Sequence, residues 1–173
     1  MAKLPILEMP DPRLTRRAAP VEQIDAELLR LLDDMLETMY AAPGIGLAAN
    51  QVGVLKRAFV ADLGEEGKRE PLFVINPEIL WRSESTTTME EGCLSLPGQF
   101  GDVARADRVR VRYLDRSGVP QVIEGEGLLA RCLQHEIDHL NGVLFVDHLS
   151  ALKRTLILRR LAKARRSKSR ASA

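Results

Sequence analysis

Two histidines four residues apart with a glutamate beside the first, His135-Glu136-Ile137-Asp138-His139, form the stretch of this chain best equipped for chemistry. Apolar residues recur around them at three- and four-residue spacing, at Leu129, Cys132, Leu133, Ile137 and Leu140, which predicts a helix. Asn141-Gly142 is a fitting stop for it. Side chains four apart on a helix stand one above the other, with Cβ atoms roughly 5 to 6 Å apart. His135 and His139 can therefore offer two imidazoles to one metal ion, and Glu136 lies beside that ion without having to ligate it.

Two ligands are too few for a zinc-type site, which takes three or four. The common downstream solutions fail here. A third histidine at the H-E-x-x-H-x-x-G-x-x-H spacing would fall at position 145, which is Phe145, and no glutamate follows Glu136. The best remaining candidate is Cys93 in Glu91-Gly92-Cys93-Leu94-Ser95. Gly92 lets the backbone approach closely, and a thiol coordinating a divalent cation is deprotonated. Gly44-Ile45-Gly46-Leu47-Ala48-Ala49-Asn50-Gln51 formally satisfies a dinucleotide fingerprint, but a helix rather than a strand precedes it, so no nucleotide cofactor is expected. It reads better as a Gly-rich loop approaching a ligand, with the Gln51 amide able to donate and accept, or as a plain helix-to-strand turn.

The elements that must position these residues are predicted as follows. A helix after the N-cap Asp25 carries the apolar stripe Leu28, Leu29, Leu32, Met35, Leu36 and Met39, and Ala42-Pro43-Gly44 ends it. Strands are expected at Ala58 to Ala61, at Pro71 to Asn76 with Ile79 to Trp81 beyond Pro77, and at Ser85 to Glu90. Arg108 to Tyr113 alternates strictly and turns through Asp115-Arg116-Ser117-Gly118 into Gln121 to Ile123, a hairpin. A final basic helix starts near Ser150, and the composition beyond Arg165 reads as a frayed tail. The fold class is α+β: small antiparallel sheets around a central metal-binding helix, flanked by an N-terminal and a C-terminal helix. Residues 1–150 form a single catalytic domain, and 151–173 the basic helix and tail attached to it.

With 173 residues the chain can bury a core without staples, and its two cysteines argue against a disulfide framework and for a reducing compartment. No signal-peptide core, transit pattern or bilayer-length apolar run is present, so the expected location is the cytoplasm. Net charge is +1, yet from Ala151 onward there are nine Lys or Arg and no acid. Either a polyanionic partner or simple solvation accounts for that tail.

Taken together and in order, the Gly44–Gln51 loop, Glu91-Gly92-Cys93-Leu94-Ser95 and Gln134-His135-Glu136-Ile137-Asp138-His139-Leu140 resemble the three motifs of bacterial peptide deformylases. The resemblance implies removal of the formyl group from the N-terminal methionine of nascent polypeptides, with release of formate. It implies one divalent metal ion, Fe2+ in the cell and replaceable by Ni2+, Co2+ or Zn2+, held by Cys93, His135 and His139. Water on that metal would be the nucleophile and Glu136 the general acid and base. Gln51 and the backbone N–H of Leu94 would hold the formyl oxygen, and Gly46 the substrate main chain. Ile45, Met89, Leu128 and Cys132 would line the methionine pocket, with the Arg131 guanidinium turned outward over an apolar wall.

Two other function classes fit parts of the pattern. One is a metallopeptidase with the same histidine pair, which the missing downstream ligand disfavours. The other is a non-catalytic ribosome- or RNA-associated module with a structural zinc, which would need a fourth protein ligand such as Cys132 or His148. Asp138 reads as an acceptor paired with Arg105 or as a solvent-facing carboxylate. On the enzyme reading the basic helix docks on the ribosome.

Overall fold

The computed structural model describes residues 2–171. Helix α1 (Ala26–Ala41) starts where Asp25 accepts the backbone N–H of Leu28 at 2.9 Å, and it buries Leu28, Leu32, Met35 and Met39. Each such side chain contributes roughly 1.5 to 3 kcal/mol by leaving water. Five strands follow one another into an antiparallel sheet of order β1 (Gly46–Ala48), β2 (Ala58–Asp62), β3 (Pro71–Arg82), β6 (Arg108–Leu114) and β7 (Pro120–Glu126). A separate hairpin pairs β4 (Thr86–Cys93) with β5 (Leu96–Ala106).

Strand β2 explains the layering. Its apolar run Ala58-Phe59-Val60-Ala61 does not alternate in polarity because both of its faces are covered. Phe59 and Ala61 join Ala48, Val74, Val109 and Val111 under helix α2 (Gly127–Leu140), whereas Ala58 and Val60 join Leu47 and Ile75 under α1. The sheet thus separates the two helices. A third apolar cluster, with Leu96, Val103, Phe145 and Val146, ties the hairpin to Ile157 and Leu161 of helix α3 (Ala151–Ala171).

Several elements differ from their predicted form. The two runs on either side of Pro77 make one strand, β3, whose pairing with β6 is irregular near Asn76, a residue at φ 51°. Strand β5 has no predicted counterpart, because Pro97, Gly98 and Gly101 break up its apolar pattern. The Gly-rich loop becomes edge strand β1 and a single 3-10 turn, Ala49–Val52. Helix α3 continues to Ala171, past the position where a frayed tail was expected. The Arg108 hairpin forms as predicted, with Val109 and Val111 inward and Arg110 and Arg112 outward.

Candidate metal centre and catalytic cleft

Helix α2 is nearly engulfed: Ala130, Cys132, Leu133, Ile137 and Leu140 are buried against the sheet. It ends at Asn141, and Gly142 turns away at φ 76°, a conformation that glycine adopts freely. That geometry sends His135, Glu136 and His139 toward the hairpin. The two Nε2 atoms lie 3.2 Å apart, and His139 Nε2 is 3.4 Å from Cys93 Sγ. The three candidate ligand atoms all lie within 4.8 Å of one another.

Cys93 sits at the end of β4, in the tight turn into β5. Its sulfur accepts the Ser95 backbone N–H at 3.5 Å and the Gln51 amide at 3.6 Å. Gln51 is itself oriented by two further bonds. Its Oε1 accepts the Ala48 N–H at 3.0 Å, and its Nε2 donates to Ser95 Oγ at 3.1 Å. The amide N–H groups are thereby aimed at the sulfur side of the cleft.

Glu136 is 2% exposed, and its Oε2 has no hydrogen-bond partner among the described residues. Burial pushes its carboxyl up to about 7, against the pull of His135 and Arg105 in the other direction. A Cβ on Gly46 would come within 2.9 Å of Glu136 Cδ, so any side chain at that position would have to displace the carboxylate. Asn50 donates its amide to the His139 carbonyl and fastens the same loop to α2.

Behind the histidines lies a buried polar network. His135 Nδ1 is 2.9 Å from Glu91 Oε1, so Nδ1 donates to the carboxylate and the ring is oriented with Nε2 facing Cys93 and His139. Glu91 also accepts Arg105 through Nε at 2.6 Å and Nη2 at 2.9 Å, and it accepts Arg131 Nη1. Burial alone would raise the Glu91 carboxyl, but the His135 and Arg105 hydrogen bonds outweigh it and hold the group well below the usual carboxylate range. Arg105 reaches Asp138 at 2.8 Å, and Asp138 lies 2.8 Å from His148 Nε2. The Asp138–Arg105 pair therefore forms.

The cleft, about 540 Å3, is lined by Ile45, Gly46, Gln51, Cys93, Leu94, Leu128, Cys132, His135 and Glu136. The residues singled out from the sequence as site residues meet there except two: His139 is buried beside Cys93 and His135 without lining the cleft, and Met89 lies outside it. Met89 is 48% exposed and lines a neighbouring groove instead. It lies two residues before Glu91 on β4, on the same strand face but farther along, past Leu128 and Arg131. Arg131 also departs from expectation: its guanidinium turns inward, because Glu91 and two backbone carbonyls offer it acceptors that compensate burial. Glu91 and Phe100, which also line the cleft, had no role assigned from the sequence. The spacing of Glu91 from Cys93 was visible, but its partner Arg105 comes from a strand that could not be foreseen.

A thiol, two imidazoles whose Nε2 atoms converge with it and an unpartnered buried acid at an accessible cleft suit a metal-dependent hydrolase. The donor set fits one divalent cation, since the three atoms converge without a fourth protein ligand among the described residues. Comparison with known proteins agrees. The sequence model of the family described as polypeptide deformylase matches residues 3–155. A peptide deformylase of Alkalilimnicola ehrlichii is 63% identical over 163 residues, 94% of this chain and 91% of the relative. The crystal structure of a peptide deformylase from Legionella pneumophila superimposes with a TM-score of 0.91 at 51% identity, covering 98% of this chain and 99% of that one. That of the Ehrlichia chaffeensis peptide deformylase in complex with actinonin gives 0.91 at 44% identity, over 95% and 98% of the two chains. The chain belongs to the polypeptide deformylase family, whose members are hydrolases.

Proposed function

We propose that this enzyme hydrolyses the formamide at the N-terminal methionine of nascent polypeptides, releasing formate and a free amine. The observation that carries the reading is the unpartnered, buried Glu136 carboxylate beside the convergent Cys93, His135 and His139 atoms in an accessible cleft. Cys93, His135 and His139 would hold one divalent ion, Fe2+ in the cell, with Ni2+, Co2+ or Zn2+ as substitutes. Such an ion supplies Lewis acidity and lowers the pKa of water at the site.

The chain's own groups account for the remaining work. β1 is an edge strand, and Ile45 and Gly46 line the cleft, so an extended peptide can pair with it through its main chain. Ile45, Leu128 and the apolar flank of Cys132 would receive the methionine side chain. As water adds to the formyl carbon, Glu136 takes its proton and then delivers it to the departing amine nitrogen. Negative charge gathers on the formyl oxygen, where the Gln51 amide and the Leu94 N–H would donate. One such preorganised donor is worth roughly 3 kcal/mol of barrier. The nine bases from Lys153 to Arg170 would place the enzyme on the ribosome, in the cytoplasm, near emerging chains. Neutralising those beyond Arg159 should weaken ribosome binding and flatten its salt dependence.

A closed structural zinc site is not favoured. The nearest candidates for a fourth ligand are engaged elsewhere: Cys132 Sγ faces the Ile45 carbonyl at 4.0 Å, and His148 pairs with Asp138. The decisive assay is formate release from a formyl-methionyl peptide by anaerobically purified, Fe2+- or Ni2+-loaded protein, beside Glu136→Ala. Turnover that collapses by orders of magnitude in the variant while metal is retained supports the mechanism. An untouched formyl peptide with metal tightly held refutes it.

A further inference from the structure

The cleft has a neighbour. On the far side of Leu128 and Arg131 lies a second groove of about 510 Å3, whose walls include Thr87, Met89, Ala106 and Glu126. Leu128 and Arg131 line both spaces. Leu128 is half exposed at the mouth, whereas Arg131 is 7% exposed and stands between the two interiors.

Arg131 is also held in place. Its Nη1 donates to Glu91 and, at 3.0 Å, to the Val103 carbonyl, while Nη2 donates to the Thr87 carbonyl at 2.6 Å. These acceptors belong to both strands of the hairpin and to the carboxylate that braces His135. A surface arginine swings aside at little cost, but this one would give up three hydrogen bonds, one of them to a buried carboxylate. Loss of each such partner in a buried setting is unfavourable. The guanidinium therefore acts as a fixed partition, and Met89 stands beyond it.

We infer that the Arg131 side chain is the end wall of the pocket for the substrate's first side chain and sets the greatest length that pocket admits. The inference rests on the deformylase reading and adds its selectivity. An unbranched side chain of methionine's length stops short of the wall. A longer one must displace the guanidinium from its three acceptors. Cutting Arg131 back to Cβ joins the cleft to the Met89 groove, and apolar Met89 then becomes part of an extended pocket. Arg131 is a specificity-determining residue in this account. Glu91 keeps both its Arg105 bonds and its His135 bond without it.

The test compares kcat/KM for formyl-norleucyl and formyl-2-aminooctanoyl peptides, identical beyond the first residue, with metal content and thermal unfolding measured for each protein. Wild type should strongly prefer the shorter side chain. Arg131→Ala should shift the ratio toward the longer one by roughly fourfold per added methylene, the equivalent of about 0.8 kcal/mol per buried CH2, or about fifteenfold for two. Arg131→Met, which refills the space without charge, should restore the wild-type ratio. If Arg131→Ala does not fold, Arg131→Val is the opening variant and the same ratio decides. Wild type that handles both peptides equally overturns the inference without any variant. So does a folded, metal-loaded opening variant with an unchanged ratio, or an Arg131→Met ratio shifted as far as that of alanine. A wild type inactive on every formyl peptide overturns the deformylase reading instead.

Discussion

Replacing Glu91 by glutamine keeps the shape of the side chain and removes its charge. In the wild type, one oxygen faces Arg105 Nε and Arg131 Nη1 and the other faces Arg105 Nη2 and His135 Nδ1, so every neighbour donates. An amide must turn its NH2 toward one of these pairs. Facing the first, it meets two guanidinium donors. Facing the second, it can only donate to His135 Nδ1, which drives the imidazole proton onto Nε2, the atom aimed at Cys93 and His139. Two consequences follow. Unpairing a buried ion pair costs about 3 to 5 kcal/mol, and the lower figure applies because Asp138 still holds Arg105 at 2.8 Å. Loss of a partner that orients a ligating histidine lowers metal affinity by about 10- to 100-fold. Urea unfolding of metal-free protein reads the first effect, and Co2+ titration followed by visible absorption reads the second. Unchanged unfolding free energy together with unchanged Co2+ affinity in Glu91→Gln would refute the reasoning.

Away from the site, Tyr40 donates to Asp62, and burial followed by that bond pushes its phenol up to about 12. The folded state thus holds the proton more tightly than the unfolded chain, so stability present below pH about 10 is lost as pH rises through about 12, by about 1 kcal/mol after allowance for partial exposure. Tyr40→Phe should flatten that stretch of the unfolding free energy against pH. Gly46→Ala puts a Cβ within 2.9 Å of Glu136 Cδ, and a displaced carboxylate should lower kcat by about 100-fold while circular dichroism stays native. Asp25→Ala removes the N-cap bond to Leu28 and should cost about 1 kcal/mol in thermal unfolding.

Periodicity made α1 and α2 legible because each carries one apolar stripe, and the alternation of Arg108 to Tyr113 made its hairpin legible for the same reason. β5 was not, since Leu96-Pro97-Gly98-Gln99-Phe100-Gly101 carries no period and is held as a strand by pairing with β4. The chemistry-bearing residues could be named one by one, because helical spacing fixes how His135, Glu136 and His139 relate. Arg131 and Met89 went astray for a single tertiary reason. A buried acceptor cluster formed by Glu91, Thr87 and Val103 draws the arginine in, and once in, it cuts Met89 off from the cleft. No local signal reports a partner forty positions away.

The site is assembled across a seam. His135, Glu136 and His139 stand on a helix fixed by the five-stranded sheet, whereas Cys93 arrives on a hairpin that belongs to no larger sheet. A two-stranded sheet has little stability of its own, so its position must be imposed from outside. Two anchors impose it. On one side Leu96 and Val103 sink into the cluster completed by Phe145, Ile157 and Leu161. On the other, Arg131 from α2 bonds the carbonyls of Thr87 on β4 and Val103 on β5, and Arg105 on β5 reaches Asp138 on α2. Apolar burial settles the distance between hairpin and helix but is tolerant of sliding. Directed charge-assisted bonds to both strands are not, and they fix the register that brings Cys93 Sγ to 3.4 Å from His139 Nε2. A network that desolvates two arginines and two carboxylates is a poor way to gain stability and an effective way to specify one alignment. In this chain Arg131 contributes to that alignment with the same atoms that divide the cleft from the groove beyond it.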